Sequence, residues 1–380
     1  MGISFFLKPL REKTDIYLAI AIILFSSLTL VVARLINVSQ DLILEILIAS
    51  LIVSIVYILT RNKTHHVTEI TNVKLSSATL LLLNIAFFLL IIIMNCISHL
   101  YLHAPPLFYH LIVLCSALIL FDILYVTSNN YSYFALFKIY IVAFLLIVNL
   151  FYDFPGFYGS DPWTHMYWVQ SWKELGHIST GLSGLITTNY PPSFHIETLV
   201  SWLLVGSNLK DSFFLSLGLI YTTAIIFVFL FSRSIFGMKI GLLSSFLIAI
   251  NPFCVLWGVL LVPTSIGVVM LTLLFYLIHA KINKNNFVII MILFSAFLYN
   301  LHTLSTLIIS ITLILYLVSI CLSSYILDLN RLDKIKTKNI MYLSLVLFVV
   351  AFTRFMYPLY TGTNTFLESI TYSFLNTLKF

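Results

Sequence analysis

Charge is what this chain has least of. Asp, Glu, Lys and Arg make up 9% of its 380 residues, against roughly 25% in a soluble globular domain. A surface so poor in charge cannot face water on all sides, which excludes a soluble domain. Cysteine is rare, and Cys96, Cys115, Cys254 and Cys321 lie in or beside apolar segments without CxxC or metal spacing. That excludes a disulfide framework and leaves thiols acting as small apolar residues. No internal repeat and no low-complexity tract occurs. Walker A, GxSxG, HExxH and Rossmann sequences are all missing, so ATP-driven transport and soluble-type hydrolase chemistry have no support. The net charge of +6 comes from basic residues spread over many short connections, which argues against a nucleic-acid partner.

What the chain has in excess is apolar sequence. Hydrophobic residues make up 61%, with 32 Phe and 21 Tyr, the composition of a lipid-facing helical bundle. The fold class expected is all-α, a polytopic membrane protein. A spanning helix needs about 20 apolar residues, and candidates lie at 16–37, 41–60, 77–97, 105–126 and 133–152. Others follow at 211–232, 239–252, 263–280, 287–301, 303–325 and 340–357. The N-terminus lacks a small-residue cleavage site, so the first segment reads as a retained anchor.

A shorter apolar piece, Ser193 to Gly206, flips every later helix if it crosses. The positive-inside rule arbitrates. With the N-terminus cytoplasmic and 193–206 not crossing, the inner segments hold Lys8, Arg11, Lys13, Arg61, Lys63, Lys74, Lys138, Arg233, Lys239, Lys281, Lys284, Arg331, Lys334, Lys336 and Lys338. That is 15 of the 20 Lys and Arg. The expectation is therefore about 11 transmembrane helices and one large first external loop, 153–210, carrying interfacial helices. The tail 358–380 is also external. The first four spans read as a separable bundle, 1–132, ahead of a core at 133–357.

Polar residues concentrate in Tyr152–Pro192, YDFPGFYGSDPWTHMYWVQSWKELGHISTGLSGLITTNYPP. Within it, Ser160-Asp161-Pro162 predicts a helix start with Asp161 at the N-cap and Pro162 at N1, running to a stop at Gly176. Helical spacing puts Asp161, His165, Trp168 and Trp172 on one stripe. Asp161 reads first as a cap, yet a capping carboxylate can still present one oxygen for proton transfer or to a divalent metal. His165, one turn on, orients a substrate or is simply an interfacial polar residue.

Tyr190-Pro191-Pro192 leads into a second helix, where His195 and Glu197 diverge by about 200°; His195 is the one expected to face the polar stretch. His302, in Asn300-Leu301-His302-Thr303, is either a turn residue or a wall of the same external cavity. Arg354, near the outer end of the last span, either snorkels to headgroups or clamps a phosphate, for which its forked donors are suited. Glu45 and Asp122 lie near span ends, where snorkelling or a local hydrogen bond is expected rather than an ion path.

The succession of a span, a loop bearing GSDPWTH, then YPPSFH, Arg233-Ser234-Ile235-Phe236-Gly237, Asn251-Pro252, Pro263-Thr264 and His302 resembles the GT-C superfamily of membrane glycosyltransferases. Asp161-Pro162-Trp163 with His165 is especially like archaeal oligosaccharyltransferase subunits. The resemblance covers about 133–357. The chain departs from the family in having no WWDYG sequence, no second acidic motif and no large C-terminal soluble domain, so a short form or fragment is expected.

The resemblance implies a polyprenyl-phosphate-linked sugar donor, a glycan, lipid or protein acceptor, and contact with membrane lipids. It implies Asp161 as catalytic base, with Mg or Mn at Asp161 as an optional cofactor, and His165, Tyr190, His195, His302 and Arg354 as substrate-binding residues. A transporter or flippase of lipid-linked saccharides, and a membrane scaffold or receptor, are the competing readings.

Overall fold

The computed structural model describes residues 16–30 and 48–58 in part, then 76–101, 104–125, 129–177, 181–182, 186–187, 192–280, 282, 284–326 and 334–356. These residues are helical almost throughout and fall into two compact units. One is drawn from Met1–Thr68, Ser179–Pro191 and Asn283–Phe380, the other from Glu69–Ile178 and Pro192–Ile282.

The second unit contains nine helices among the described residues. They are α1 Ser77–Leu100, α2 Pro106–Tyr125, α3 Asn129–Tyr152, α4 Asp161–Leu175, α5 Ser193–Val205, α6 Leu209–Phe236, α7 Met238–Ile250, α8 Pro252–Leu260 and α9 Pro263–His279. The first unit holds α10 Lys284–Leu301, α11 Thr303–Ile326 and α12 Lys334–Met356, with a hairpin of β1 Gly181–Leu182 and β2 Ile186–Thr187. Among the described residues, five helices are long and apolar enough to cross a bilayer: α1, α2, Tyr131–Tyr152 of α3, α6 and Thr303–Leu322 of α11. The pair α7–α8, bent by 60°, is a sixth if counted as one span.

Local sequence accounts for the helix ends. The Ser76 hydroxyl accepts from Thr79 N, and Asn208 Oδ1 from Asp211 N. Such side chains satisfy amides that the first turn leaves without partners. Helices α4 and α5 stop at Gly176 and Gly206, both left-handed (φ 70° and 68°), a conformation that glycine adopts without strain.

Helix α8 is an element that apolar run length did not predict. Asn251 Oδ1 accepts from Phe253 N and Cys254 N, and Pro252 occupies the first turn, so the chain restarts a helix at a new angle where the span at 239–252 was expected to end. Gly258 then lets α8 lie close to its neighbours. A Cβ there would stand 2.7 Å from Ile147 Cδ1 and 2.8 Å from Tyr221 Cε1.

Lys138, expected in an inner connection, is instead inside α3 and 0% exposed. Helix α3 starts at Asn129, so Lys138 is already more than two turns in. Its Nζ lies 2.7 Å from Asp122 Oδ2 and over the rings of Phe87, Phe134 and Tyr131, at 5.1, 5.4 and 5.8 Å. The Tyr131 hydroxyl is 3.0 Å from Asp122 Oδ1 and 2.9 Å from Asn84 Oδ1. A charge in hydrocarbon is tolerated only when paired and hydrogen-bonded, and this network, with groups from α1, α2 and α3, meets that condition.

Polar contacts define two poles of this unit. At one, Lys239 donates to the carbonyl of Leu124 (3.1 Å) and Arg233 to the Tyr133 hydroxyl, gathering the end of α2, the start of α3, the end of α6 and the start of α7. At the other, Asp153 Oδ1 accepts from Ala104 N (2.9 Å), and the Tyr152 hydroxyl donates to Asp211 Oδ1 (2.8 Å). The chain thus leaves α3 and enters α6 at the same pole, with α4 and α5 between. Those two helices run about 22 and 20 Å at 1.5 Å per residue, short of a hydrocarbon core of about 30 Å.

Breaking the buried pair from one side should be costly. Asp122→Ala strands Lys138 and is expected to lower stability by about 3–5 kcal/mol. Asp122→Leu with Lys138→Met should recover most of that loss, both read by unfolding of the detergent-solubilised protein.

Candidate active site

The polar stretch builds its site where α4 packs on α5. Helix α4 begins with Ser160 at the N-cap, Asp161 at N1 and Pro162 behind it, and no side-chain cap bond forms. This corrects the expectation of an Asp161 cap. Because the Asp161 carboxylate holds no backbone amide, it stands 66% exposed at the head of the helix.

Behind it, the predicted stripe is the buried face of α4: His165, Trp168 and Trp172 are 2%, 5% and 4% exposed. His195 of α5, 1% exposed, meets that face. Its Nε2 lies 3.0 Å from His165 Nδ1, and its ring packs edge-on against Trp172 at 5.4 Å. On the other side of the imidazole, His165 Nε2 is 3.6 Å from Asp161 Oδ1, just beyond direct hydrogen-bond length. One line therefore runs from an exposed carboxylate through a buried imidazole to a second imidazole.

Aromatic packing fixes this line. His165 packs at a tilt on Phe194 (5.1 Å), Phe194 meets Phe213 edge-on (5.8 Å), and Phe213 meets Phe157 edge-on (5.3 Å) and Phe151 at a tilt (6.4 Å). Helix α5 is anchored to the start of α6 by Ser201 Oγ donating to the Ser212 carbonyl (3.0 Å). Lys173 of α4 lies over the Trp202 ring at 3.3 Å, a cation–π contact. Burial pushes the His165 pKa down to about 4, so the imidazole is neutral at physiological pH. Burial likewise pushes the Glu197 carboxyl up. Among the described residues, Trp172 Nε1 and Glu197 Oε2 are buried with no hydrogen-bond partner, the kind of atom that a water or a ligand hydroxyl satisfies.

The structure brings Asp161, His165 and His195 together. Tyr190 lies outside the described residues. His302 belongs to the other unit, at the break between α10 and α11, where its Nδ1 is 2.9 Å from Ser305 Oγ and its carbonyl accepts from Thr306 N. This is the geometry of a turn residue. Arg354 falls in the last turn of α12, with its side chain outside the described set.

The pairing of His165 with His195 and the contacts of Asp153 and Asp211 were missed in the sequence, where partners 30 to 59 residues apart leave no periodic signal. A small hard cation such as Mg takes about six ligands, chiefly oxygens. Asp161 offers one carboxylate beside a neutral imidazole, and no group of three or more His, Cys, Asp or Glu side chains gathers among the described residues. These residues do not fit a Mg or Mn site at Asp161. No family model, no curated protein and no solved structure matches this chain.

The buried imidazole makes stability depend on acid. His165 titrates near 6.5 when unfolded and near 4 when folded. Between those values the unfolded chain binds more protons, so the contribution is complete above about pH 6.5 and drains as pH falls through 4. Its ceiling is about 3 kcal/mol. Replacing the ring by His165→Asn should flatten that part of the pH–stability curve, measured by thermal unfolding between pH 7.5 and 4.

Proposed function

We propose that the chain is a membrane glycosyltransferase that moves a sugar from a polyprenyl-phosphate-linked donor to an acceptor hydroxyl. The observation that carries the reading is the exposed Asp161 carboxylate, uncommitted to capping and backed by a buried neutral histidine. Asp161 accepts the proton of the acceptor hydroxyl as its oxygen attacks the anomeric carbon. The bond from that carbon to the donor phosphate breaks, the polyprenyl phosphate leaves, and the configuration inverts. Positioned general bases contribute about 10²–10⁴-fold. In this reading the orphan Trp172 Nε1 and Glu197 Oε2 suit a polyhydroxylated ligand.

We place 153–210 outside, within a chain of about 11 spans whose N-terminus is cytoplasmic. The common pole of Tyr152 and Asp211, and the basic contacts of Arg233 and Lys239 at the opposite pole, support this arrangement. Single cysteines at Asn208 and Lys239 should react with an impermeant thiol reagent from outside and from inside, respectively. Labelling of both from one side overturns it.

The buried Lys138–Asp122 pair and the bent α7–α8 pair favour a second reading, a transporter or flippase of lipid-linked saccharides. Donor consumption separates the two, because a transporter leaves the donor intact. Asp161→Asn, in membranes supplied with polyprenyl-phosphate sugar, should lower transfer by about 100-fold or more with unchanged folding. Transfer at the wild-type rate would overturn Asp161 as the base.

A further inference from the structure

The line from Asp161 to His195 has a direction that its chemistry decides. His165 is buried, and a neutral imidazole carries one proton on one of two nitrogens. Its Nδ1 faces His195 Nε2 at 3.0 Å, and its Nε2 faces Asp161 Oδ1 at 3.6 Å. With the proton on Nδ1, the Nε2 lone pair would point at a carboxylate oxygen, a repulsive contact. With the proton on Nε2, an N–H points at the carboxylate, and Nδ1 becomes an acceptor that needs a donor. His195 Nε2 is the atom in place to supply it.

We infer that His195 is a positioning residue: it donates from Nε2 to His165 Nδ1 and so holds His165 in the Nε2–H tautomer that faces Asp161. Both rings are fixed for this by their packing. Phe194 packs against both His165 and His195 (5.1 and 5.4 Å), and Trp172 closes on His195. The same economy of roles operates where a buried acid sets the tautomer of a catalytic histidine. Here the order is inverted, with the carboxylate exposed to substrate and the tautomer set from behind. An N–H aimed at Asp161 orients the carboxylate. It also leaves the second oxygen for the acceptor hydroxyl. That catalytic consequence rests on the glycosyl-transfer reading above, whereas the tautomer does not.

The test is magic-angle-spinning NMR of the full chain, labelled with ¹⁵N-histidine and reconstituted in lipid at pH 7.5, with the His165 signals assigned by their loss in His165→Asn. The expected result is a protonated Nε2 and an unprotonated Nδ1. A protonated Nδ1 in the wild-type protein overturns the inference. His195→Phe, which keeps the ring but removes the donor, should shift His165 toward the other tautomer, and an unchanged tautomer also overturns the inference. His195→Gln, whose amide reaches near the Nε2 position, should restore the wild-type tautomer and covers the case in which the Phe variant does not fold. Transfer should fall about 10- to 100-fold in His195→Phe, the range for outer-shell partners of reactive groups, and recover in His195→Gln. A wild-type protein with the Nε2–H tautomer that consumes no donor would sink the glycosyl-transfer reading and leave the role of His195 standing.

Discussion

The hydrogen bond from the Tyr152 hydroxyl to Asp211 Oδ1 is the constraint on which the site depends. It ties the end of α3 to the start of α6, so everything between must return to the pole from which it left. A segment held at both ends in this way can hold two short helices without either having to traverse a bilayer. The same bond occupies one oxygen of Asp211, while Asn208 holds the other (2.6 Å). The neighbouring Lys210 turns to the Phe154 carbonyl and to the faces of Phe151 and Tyr152. Polar groups at this junction therefore close on one another, and the exposed carboxylate at Asp161 stands out by contrast.

The two poles of this unit use charge differently. One keeps Arg233 and Lys239 on tyrosine and carbonyl oxygens, contacts that leave their charge uncancelled. The other carries carboxylates engaged with neutral donors, as Asp153 is with the Ala104 amide. Between them the buried ion pair of Lys138 with Asp122 is sealed by aromatic rings and by a tyrosine. In a medium without water, such a network holds helices together through the high cost of separating its members rather than through a large net gain.

Much of the helical layout was legible because apolar run length and stop signals act locally. Gly176 and Gly206 end α4 and α5 where the sequence put them, and the stripe of His165, Trp168 and Trp172 is the buried face. Failures came where a local rule had two outcomes. Ser160 and Asp161 both qualify as a cap, and the choice between them rests on how the loop enters the helix. Lys138 read as a connection residue because a charge usually marks the end of a span, and its partner Asp122 lies 16 residues back in another helix. The span expected at 239–252 ends where Asn251 and Pro252 restart a helix, and run length carries no signal for the short α8 that follows. The pairing of His165 with His195 depends on how α4 and α5 pack, and helical periodicity is silent on that.

The wide turn at Phe214–Gly218 within α6 has a further consequence. A π turn accommodates an additional residue, so the faces before and after it are out of phase by roughly the 100° that one residue subtends. Upstream, Ser212 and Phe213 are keyed to α5 and the histidine cluster. Downstream, Thr222 meets Tyr140 of α3, and Tyr221 reaches the Cys254 carbonyl of α8. One rod thus serves two partners that a uniform helix would present at the wrong angle. Gly218 permits the crossover, since a Cβ there would stand 2.8 Å from the Phe214 ring. The offset acts as a clutch plate between the downstream bundle and the pole that carries the histidine pair, and removing a single residue from it would rotate one against the other.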